Sequence, residues 1–432
     1  MLEQFRVAHA RTWLAAGLAS VLAACATAPG PDARAAQWPT RADVVATQTD
    51  FTPEGLAALD ARLKEAVDKG QVSGLEYVLF KDGEVAAFNT FGTRSFGGAP
   101  LTEDTIFRIR SMTKVITGVA LMQLYEQGKW QLDDPVTRYV PEFASLKVHT
   151  EDADKKVVLV NAARPATMRE LFTHTAGFGY GLSANNAVDR MFIADHPMGK
   201  KDLKALVDRV AEIPLLAQPG ERFSYSIGID VQGAIIERLS GMTFGDYLEA
   251  NIFTPLGMKD TGFVLDEADR ARFATVYTRN PASGRMELFP DPADRDFFKA
   301  DHAQSGGGGL ASTLHDYARF ARMLVSDGEL DGQRILKPET LQLMMRNHLS
   351  GDLRGFGAGW GLGGQVQIES TERAPQPVGT FSWFGIDGTW FWADPVNDLG
   401  FVAMIQRRGG GGPGSVDLRG ESPQLVYKAL RK

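Results

Sequence analysis

The chain has 432 residues and carries 46 lysines and arginines against 53 aspartates and glutamates, a formal net charge of −7. With 44% hydrophobic and 23% charged residues, the composition is that of a globular protein with a sizeable core and excludes a disordered chain. A pI of about 5.6 and the lack of any basic cluster argue against a nucleic-acid partner. The single cysteine, Cys25, excludes an intrachain disulfide and a zinc site built from cysteines.

The N-terminal residues have the layout of a secretory signal. Basic side chains precede an apolar run over residues 12–24, which is too short to span a bilayer comfortably. The segment Leu22-Ala23-Ala24-Cys25 resembles the lipobox of bacterial lipoproteins, in which the cysteine is lipidated. We therefore expect a signal peptide over 1–24, a tether over 25–50, and a periplasmic protein held at the outer membrane only through Cys25. Ordinary cleavage at Ala26-Thr27-Ala28 is the alternative.

Predicted elements at the two ends of the remaining chain differ from those in the middle. Leu56, Leu59, Leu63 and Val67 have helical spacing, and Thr52-Pro53-Glu54 favours a helix start just before them. Residues 75–80 and 84–91 flank Asp82-Gly83 and predict a hairpin, because Asp-Gly supports the positive φ angles of a tight turn. Residues 389–392 and 401–405, on either side of the turn at 394–398, predict another strand pair.

The middle of the chain is predominantly helical by pattern. Apolar residues recur at helical spacing over 201–210, 231–239, 244–250 and 314–324, with loops rich in Pro and Gly between them. Strands at both ends and helices between them indicate one sheet built from the two termini and interrupted by a helical part. We expect a single domain over 51–430, with the sheet from about 51–100 and 355–430 and the helical part from about 101–354.

Several common sites are excluded by their motifs. The sequence has no Gly-x-Ser-x-Gly and no phosphate-binding Gly-x-x-x-x-Gly-Lys-Ser/Thr. The run Gly359-Trp360-Gly361-Leu362-Gly363-Gly364 fits a dinucleotide pattern, but Gln365-Val366-Gln367-Ile368 after it alternates like a strand and favours a glycine-rich turn. The histidines have no paired metal spacing, and Asp291, Asp294 and Asp296 lie in a polar loop typical of a solvated turn. No metal or cofactor is expected.

One serine has a lysine three residues later, in Ser111-Met112-Thr113-Lys114. The apolar stripe that follows predicts a buried helix beginning near Ser111, and a spacing of three puts Ser111 and Lys114 on the same side of it. A lysine beside that stripe would lose hydration, which favours a neutral amine able to take the proton of the serine. A capping serine followed by a snorkelling lysine explains the same residues equally well.

The surrounding sequence decides between these readings. Asp104-Thr105-Ile106-Phe107-Arg108-Ile109-Arg110-Ser111-Met112-Thr113-Lys114 resembles the nucleophile segment of the serine hydrolase superfamily that contains class C β-lactamases, DD-peptidases and family VIII esterases. Downstream segments also resemble that superfamily, in the right order: Leu132-Asp133-Asp134-Pro135-Val136, Leu171-Phe172-Thr173-His174-Thr175-Ala176-Gly177, Gln218-Pro219-Gly220, Phe223-Ser224-Tyr225-Ser226 and Trp390-Phe391-Trp392-Ala393-Asp394-Pro395. The resemblance implies an α/β (α+β) fold of the β-lactamase/transpeptidase type, with an antiparallel sheet flanked by helices.

The resemblance also implies roles for particular residues. Ser111 would be the nucleophile, and Lys114 and Tyr225 the general base and acid. The second motif is Tyr225-Ser226-Ile227, where the lactamases end in an Asn whose amide contacts the substrate; Ile227 cannot make that contact. A catalytic His174 is not expected, since the family histidine is structural.

The third motif departs from the lactamases as well. They carry Lys or His followed by Thr or Ser and Gly, which binds the carboxylate of their substrates, whereas this chain has Trp383-Phe384-Gly385. Tryptophan supplies an aromatic wall and an N–H donor, as in family VIII esterases. Core packing beside Trp390 and Trp392 is the alternative for Trp383. Gly385 would let the backbone approach the substrate, and the N–H groups of Ser111 and Ile386 would form the oxyanion hole.

Tyr180 lies on a glycine-rich loop where the family places a wall of its cleft, and we expect it to contact the substrate or simply to pack. The motifs together favour a serine hydrolase acting on a small-molecule carboxylic ester. A β-lactamase or D-alanyl-D-alanine peptidase is one alternative, and an inactive periplasmic binding or sensor protein is another. The natural ester and the oligomeric state are not legible in the sequence.

Overall fold

The computed structural model describes residues 38–45, 50–151, 157–289, 297–351, 353–409 and 416–431. The predicted signal peptide, Cys25 and the aspartates at 291, 294 and 296 lie outside these residues, as does most of the predicted tether. Within the described ranges, no helix combines the length and the apolar character needed to cross a membrane.

A seven-stranded sheet forms the centre of the molecule. The strands in chain order are β1 (Gly74–Lys81), β2 (Glu84–Gly92), β3 (Ile106–Arg108), β4 (Lys147–Glu151), β5 (Val157–Asn161), β6 (Tyr277–Arg279), β7 (Met286–Leu288), β8 (Ala311–Thr313), β9 (Glu329–Leu330), β10 (Gln333–Arg334), β11 (Gly359–Trp360), β12 (Gln365–Val366), β13 (Phe381–Phe384), β14 (Trp390–Asp394), β15 (Leu399–Met404) and β16 (Arg407–Arg408). The central sheet has the order β11-β12-β13-β14-β15-β1-β2, and every neighbouring pair is antiparallel. Its strands therefore come from both ends of the chain.

Helices fill the sequence between the two halves of the sheet and flank it. They are α1 (Pro53–Asp68), α2 (Thr113–Glu126), α3 (Met168–Phe172), α4 (Ala187–Asp195), α5 (Leu203–Val210), α6 (Gly228–Ser240), α7 (Phe244–Leu248), α8 (Thr254–Leu256), α9 (Leu314–Val325), α10 (Pro338–Met345) and α11 (Leu418–Ala429). A π-helical segment, Glu249–Phe253, joins α7 to α8, and short 3₁₀ helices include Arg110–Met112. The helices predicted at 201–210, 231–239, 244–250 and 314–324 correspond to α5, α6, α7 and α9.

Local sequence explains where the terminal elements begin and turn. The hydroxyl of Thr52 accepts a hydrogen bond from the N–H of Gly55 and caps α1, with Pro53 in the first turn. Asp82 and Gly83 have φ angles of +50° and +78°, which is the left-handed pair that a two-residue hairpin loop requires. The predicted first helix and both predicted strand pairs are confirmed.

Alternating side chains of the sheet enter two separate cores. Tyr77, Leu79, Trp390 and Trp392 pack with α1 and α11 on one face. On the other face, residues that include Val78, Phe80, Phe391 and Ala393 pack into the larger core, which contains the helical part. Because successive strand residues point to opposite faces, this two-sided burial gives strands that are apolar on both faces.

Helix α2 runs through the larger core and carries the candidate lysine. Eleven of its 14 residues are buried, including Lys114, so the helix is enclosed on all sides. It follows directly after the 3₁₀ helix Arg110–Met112, which packs against β13. Ser111 therefore lies where the helical part meets the sheet, beside the strand that carries Trp383.

Candidate active site

Ser111 and Lys114 meet as their spacing predicts. The Nζ of Lys114 donates a hydrogen bond to Ser111 Oγ at 3.3 Å. The lysine side chain is completely buried, whereas Ser111 is half-buried. The amine is shielded from bulk water, so its polar neighbours decide how it is held.

Two further oxygens surround the amine of Lys114. The carbonyl of Gly307 accepts from Nζ at 2.5 Å, and the hydroxyl of Tyr180 lies 3.2 Å from it. Tyr180 is 8% exposed, and its hydroxyl faces the lysine, which agrees with packing, the second of the two roles expected for it. Gly307 was not among the predicted site residues. The signal that pointed to it is the run of glycines from Gly306 to Gly309, which lets a backbone carbonyl approach α2 closely.

Glycine is required at 307 because the space around it is already filled. A Cβ there would lie 2.2 Å from Asp230 Oδ2 and 2.6 Å from the Tyr180 hydroxyl. Asp230, which is completely buried, holds the loop by accepting from the N–H of Gly307 at 3.1 Å. Asp230 thereby fixes the carbonyl that holds Lys114.

Tyr225 lies on the other side of Lys114. The lysine Nζ is 4.7 Å from the centre of the Tyr225 ring, a distance at which a cation is attracted to the face of an aromatic ring. The Tyr225 hydroxyl accepts a hydrogen bond from Trp383 Nε1 at 3.2 Å. The second and third motifs are therefore joined directly, although 158 positions separate them in the sequence.

Trp383 belongs to the site and not to the tryptophan cluster of the opposite face. It pairs across strands with Phe391, so it shares a face with Phe391 and points away from Trp390 and Trp392. Its ring packs 4.5 Å from that of Trp360 and 5.5 Å from that of Tyr225. Packing beside Trp390 and Trp392 is therefore wrong as an account of Trp383.

Ile227 takes no part in the cleft. Its side chain is completely buried and belongs to the larger core, and its N–H donates to the carbonyl of Gly179 at 3.1 Å. The position at which the lactamases present an amide to the substrate is here an element of the core.

The turn after β13 approaches the nucleophile segment closely. A Cβ on Gly385 would lie 2.5 Å from the carbonyl oxygen of Ile109, so only glycine fits. The hydroxyl of Thr389 donates to the same carbonyl at 3.2 Å, and the N–H of Gly385 donates to the carbonyl of Thr389 at 2.7 Å. These contacts bring Ile386 and Ser111, the predicted oxyanion-hole residues, onto adjoining segments.

A buried ion pair ties the same two segments together. Asp387, which follows Ile386, is completely buried and accepts from Arg110, which precedes Ser111. It also accepts from Arg408. Burial on its own would raise the pKa of Asp387, but the two guanidinium groups hold that pKa below its ordinary value. The pair of Arg110 and Asp387 was not predicted, because 277 positions separate its members in the sequence.

His174 has a structural setting. Its Nδ1 accepts the N–H of Ser226 at 3.1 Å, and its ring packs 4.6 Å from that of Tyr225. Burial, and to a lesser extent the charge of Lys114, lower the pKa of His174 well below its ordinary value. The imidazole is therefore neutral and supports the ring of Tyr225 from behind.

A neutral buried histidine makes stability depend on pH in a defined direction. Below the ordinary histidine pKa of 6.5, position 174 binds a proton in the unfolded chain but not in the folded one, so acid favours unfolding. We expect the free energy of unfolding to fall between pH 7.5 and pH 5.5, and His174→Asn to reduce that slope by up to about 1.4 kcal/mol per pH unit. Urea titrations across this range measure it. If the free energy of unfolding depended on pH equally in the wild type and in His174→Asn, the assignment of a neutral, buried His174 would be contradicted.

Comparisons with known proteins identify the family of the chain. The Beta-lactamase family model matches residues 59–422. Esterase EstB of Burkholderia gladioli is 31% identical over 405 residues, covering 88% of this chain and 98% of that protein. Lovastatin esterase of Penicillium rubens is 28% identical over 378 residues, covering 81% of this chain and 92% of that protein. The solved structure of EstCE1, described as a hydrolase with promiscuous acyltransferase activity, matches with a TM-score of 0.72 at 27% identity and covers 88% of this chain and 99% of its own.

The superfamily and the α/β fold class expected from the motifs are both confirmed by these matches. Antiparallel strands from both ends of the chain, with helices between, are the architecture that the resemblance implied. The chain belongs to the β-lactamase family and is a serine hydrolase.

Proposed function

We propose that the protein hydrolyses carboxylic esters through an acyl-enzyme on Ser111. The observation that carries the proposal is the contact between Ser111 Oγ and the fully buried amine of Lys114. A serine hydroxyl is a weak nucleophile until a neighbouring base takes its proton, and the neutral form of the Lys114 amine, with Nζ 3.3 Å from Ser111 Oγ, is placed to do so. Tyr225, under the same amine, is the proposed second proton carrier.

The proposed reaction has two balanced halves. In the first, Ser111 Oγ attacks the ester carbonyl, its proton passes through Lys114 and Tyr225 to the leaving oxygen, and an alcohol departs. In the second, water attacks the acyl-enzyme, returns a proton to Ser111 Oγ and releases the carboxylic acid. The N–H groups of Ser111 and Ile386 are proposed to stabilise the negative oxygen of both tetrahedral intermediates.

The cleft favours an ester over a β-lactam or a D-alanyl peptide for a specific reason. Both of those substrates carry a carboxylate, which the lactamases bind through a polar third motif. Here Trp383 occupies that motif, and its N–H is already committed to Tyr225. Ile227, at the position of the amide that contacts the substrate, is buried in the core. An ester without a carboxylate does not need these polar contacts, so Trp383 and Ile227 do not weaken its binding.

Kinetics with three substrates tests the proposal. We expect kcat/KM for p-nitrophenyl butyrate to exceed that for benzylpenicillin and for a D-alanyl-D-alanine peptide by at least about tenfold, since a missing hydrogen bond to a charged group costs about 1.5–3 kcal/mol. The Trp383→Lys variant introduces a cation at the third motif and should reduce the difference in kcat/KM between the ester and the two carboxylate substrates. A wild-type preference for either carboxylate substrate would reverse the assignment.

A further inference from the structure

Phe356 has a backbone conformation that its side chain disfavours. It occupies the turn Gly355-Phe356-Gly357-Ala358, in which Gly355 and Ala358 exchange two backbone hydrogen bonds of 2.9 and 3.2 Å. The φ angle of Phe356 is +56° and that of Gly357 is +85°. Both central residues of such a turn are left-handed, where Asn, Asp and Gly are favoured and a bulky side chain is a genuine outlier.

The turn is held in this shape by the aromatic residues beneath it. A Cβ on Gly355 would lie 2.8 Å from Trp360 Cε3 and 2.9 Å from Phe223 Cε2, so the backbone rests directly on both rings. Trp360 is completely buried, and its Nε1 donates to the carbonyl of Phe172 at 3.1 Å. A strained residue persists where its surroundings fix it in this way, and such residues cluster at ligand clamps and active sites.

The strained turn places an aromatic ring beside the proposed catalytic residues. The Phe356 ring centre lies 5.6 Å from that of Tyr225 and 5.7 Å from that of Trp383. Nevertheless the side chain is 60% exposed. Its ring also lies 5.6 Å from that of Phe223 and 6.4 Å from that of Trp360, but most of its surface is outside these contacts and open to a bound group.

We propose that Phe356 determines substrate specificity by binding an aromatic group of the ester against its exposed ring face. This inference rests on the proposed esterase function and names its substrate class, an ester bearing an aryl or benzyl group next to the reacting carboxyl. Offset and edge-to-face contacts between aromatic rings are favourable beyond the area that they bury. Phe356 and the half-buried Tyr225 offer such contacts on one side of the cleft, and Trp383, which is only 3% exposed, packs against both rings.

The test compares ratios of kcat/KM, so that a general loss of activity cancels. For the alcohol side the ratio is benzyl acetate over ethyl acetate, and for the acyl side it is ethyl benzoate over ethyl acetate. We expect Phe356→Asn to lower at least one ratio by about 2- to 12-fold. Phe356→Tyr keeps the aromatic ring, so both ratios should equal those of the wild type. Val396→Asn is the control at another exposed residue, 66% exposed, and should also leave both ratios unchanged.

Thermal unfolding supplies a second measurement, the Tm, which is not expected to fall when the aromatic kcat/KM ratio falls. Since Asn tolerates a left-handed φ, Phe356→Asn should have a Tm equal to or above that of the wild type while its aromatic ratio falls. Unchanged ratios, an equal fall for all three esters, or a lowered Tm would each overturn the inference. Failure of the wild type to hydrolyse any ester would instead remove the proposed function, and this inference with it.

Discussion

Replacing Ser111 with alanine is expected to lower kcat/KM for p-nitrophenyl butyrate by about a thousandfold or more, because the variant has no oxygen that can form the acyl-enzyme. The contact of Ser111 Oγ with Lys114 Nζ is lost with it, but the buried lysine keeps the carbonyl of Gly307 and the hydroxyl of Tyr180. The fold should therefore survive. Initial rates and circular dichroism, measured on wild type and variant prepared identically, check both halves of this expectation.

Covalent labelling sharpens the same prediction. A fluorophosphonate should add one mass increment to the wild-type protein and none to Ser111→Ala, as read by intact-mass spectrometry. Ser283→Ala, at an exposed serine in the loop between β6 and β7, is the matched control and should label like the wild type. Labelling of the Ser111→Ala variant would show that another residue is the nucleophile.

Replacing Asp387 with alanine is expected to lower the free energy of unfolding by about 3–5 kcal/mol, more than any other proposed substitution. The carboxylate is completely buried and accepts from Arg110 and Arg408, so its removal leaves two largely buried guanidinium groups without that partner. Urea unfolding measures the loss. Asp68→Ala, which breaks the exposed Lys64–Asp68 pair on α1, is the control and should cost less than about 1 kcal/mol.

Asp387→Ala should also lower turnover, because Asp387 lies next to a predicted oxyanion-hole residue. This residue lies between the predicted oxyanion donor Ile386 and the turn that returns to β14, and it is paired with the residue before Ser111. We expect kcat to fall more than KM rises, because alignment of the two N–H donors matters most in the transition state. A loss of stability no greater than that of Asp68→Ala, or an unaltered kcat, would contradict this account of the ion pair.

Acid should weaken this pair in a predictable range. Because the pKa of Asp387 is held below its ordinary 3.8, its ionisation stabilises the fold fully at pH values above the unfolded-state pKa. That contribution is lost as the pH falls below about 4 and through the folded-state pKa. Loss of stability linked to His174 begins near neutrality, so the two groups act in different pH ranges.

The sequence was informative where chemistry depends on short spacing. Ser111 and Lys114 are three positions apart, and helix geometry alone brought them together. The Asp82-Gly83 hairpin and the capped start of α1 were likewise legible from a few adjacent residues. In each case the contact is local, so no knowledge of the rest of the fold was needed.

Contacts across the fold could not be predicted in this way. Trp383, Trp390 and Trp392 look alike in sequence, and the strand register alone decides which of them reaches the site. The pairing of Trp383 with Phe391 sends the first tryptophan to Tyr225 and the other two to the opposite core. A shift of the register by one residue would have reversed that outcome. Gly307 and Asp387 were missed for the same reason.

The sheet built from both ends of the chain has a consequence for the timing of activity during synthesis. The segment that contains Ser111 is made early, whereas β13, Ile386, Asp387 and the strand β15 that pairs with β1 are made late. A nascent chain therefore carries Ser111 and Lys114 well before it has Ile386, the predicted oxyanion donor, or Trp383. If the proposed mechanism holds, we expect ester hydrolysis only after the late strands have joined the sheet, and we expect an incomplete chain to be inactive.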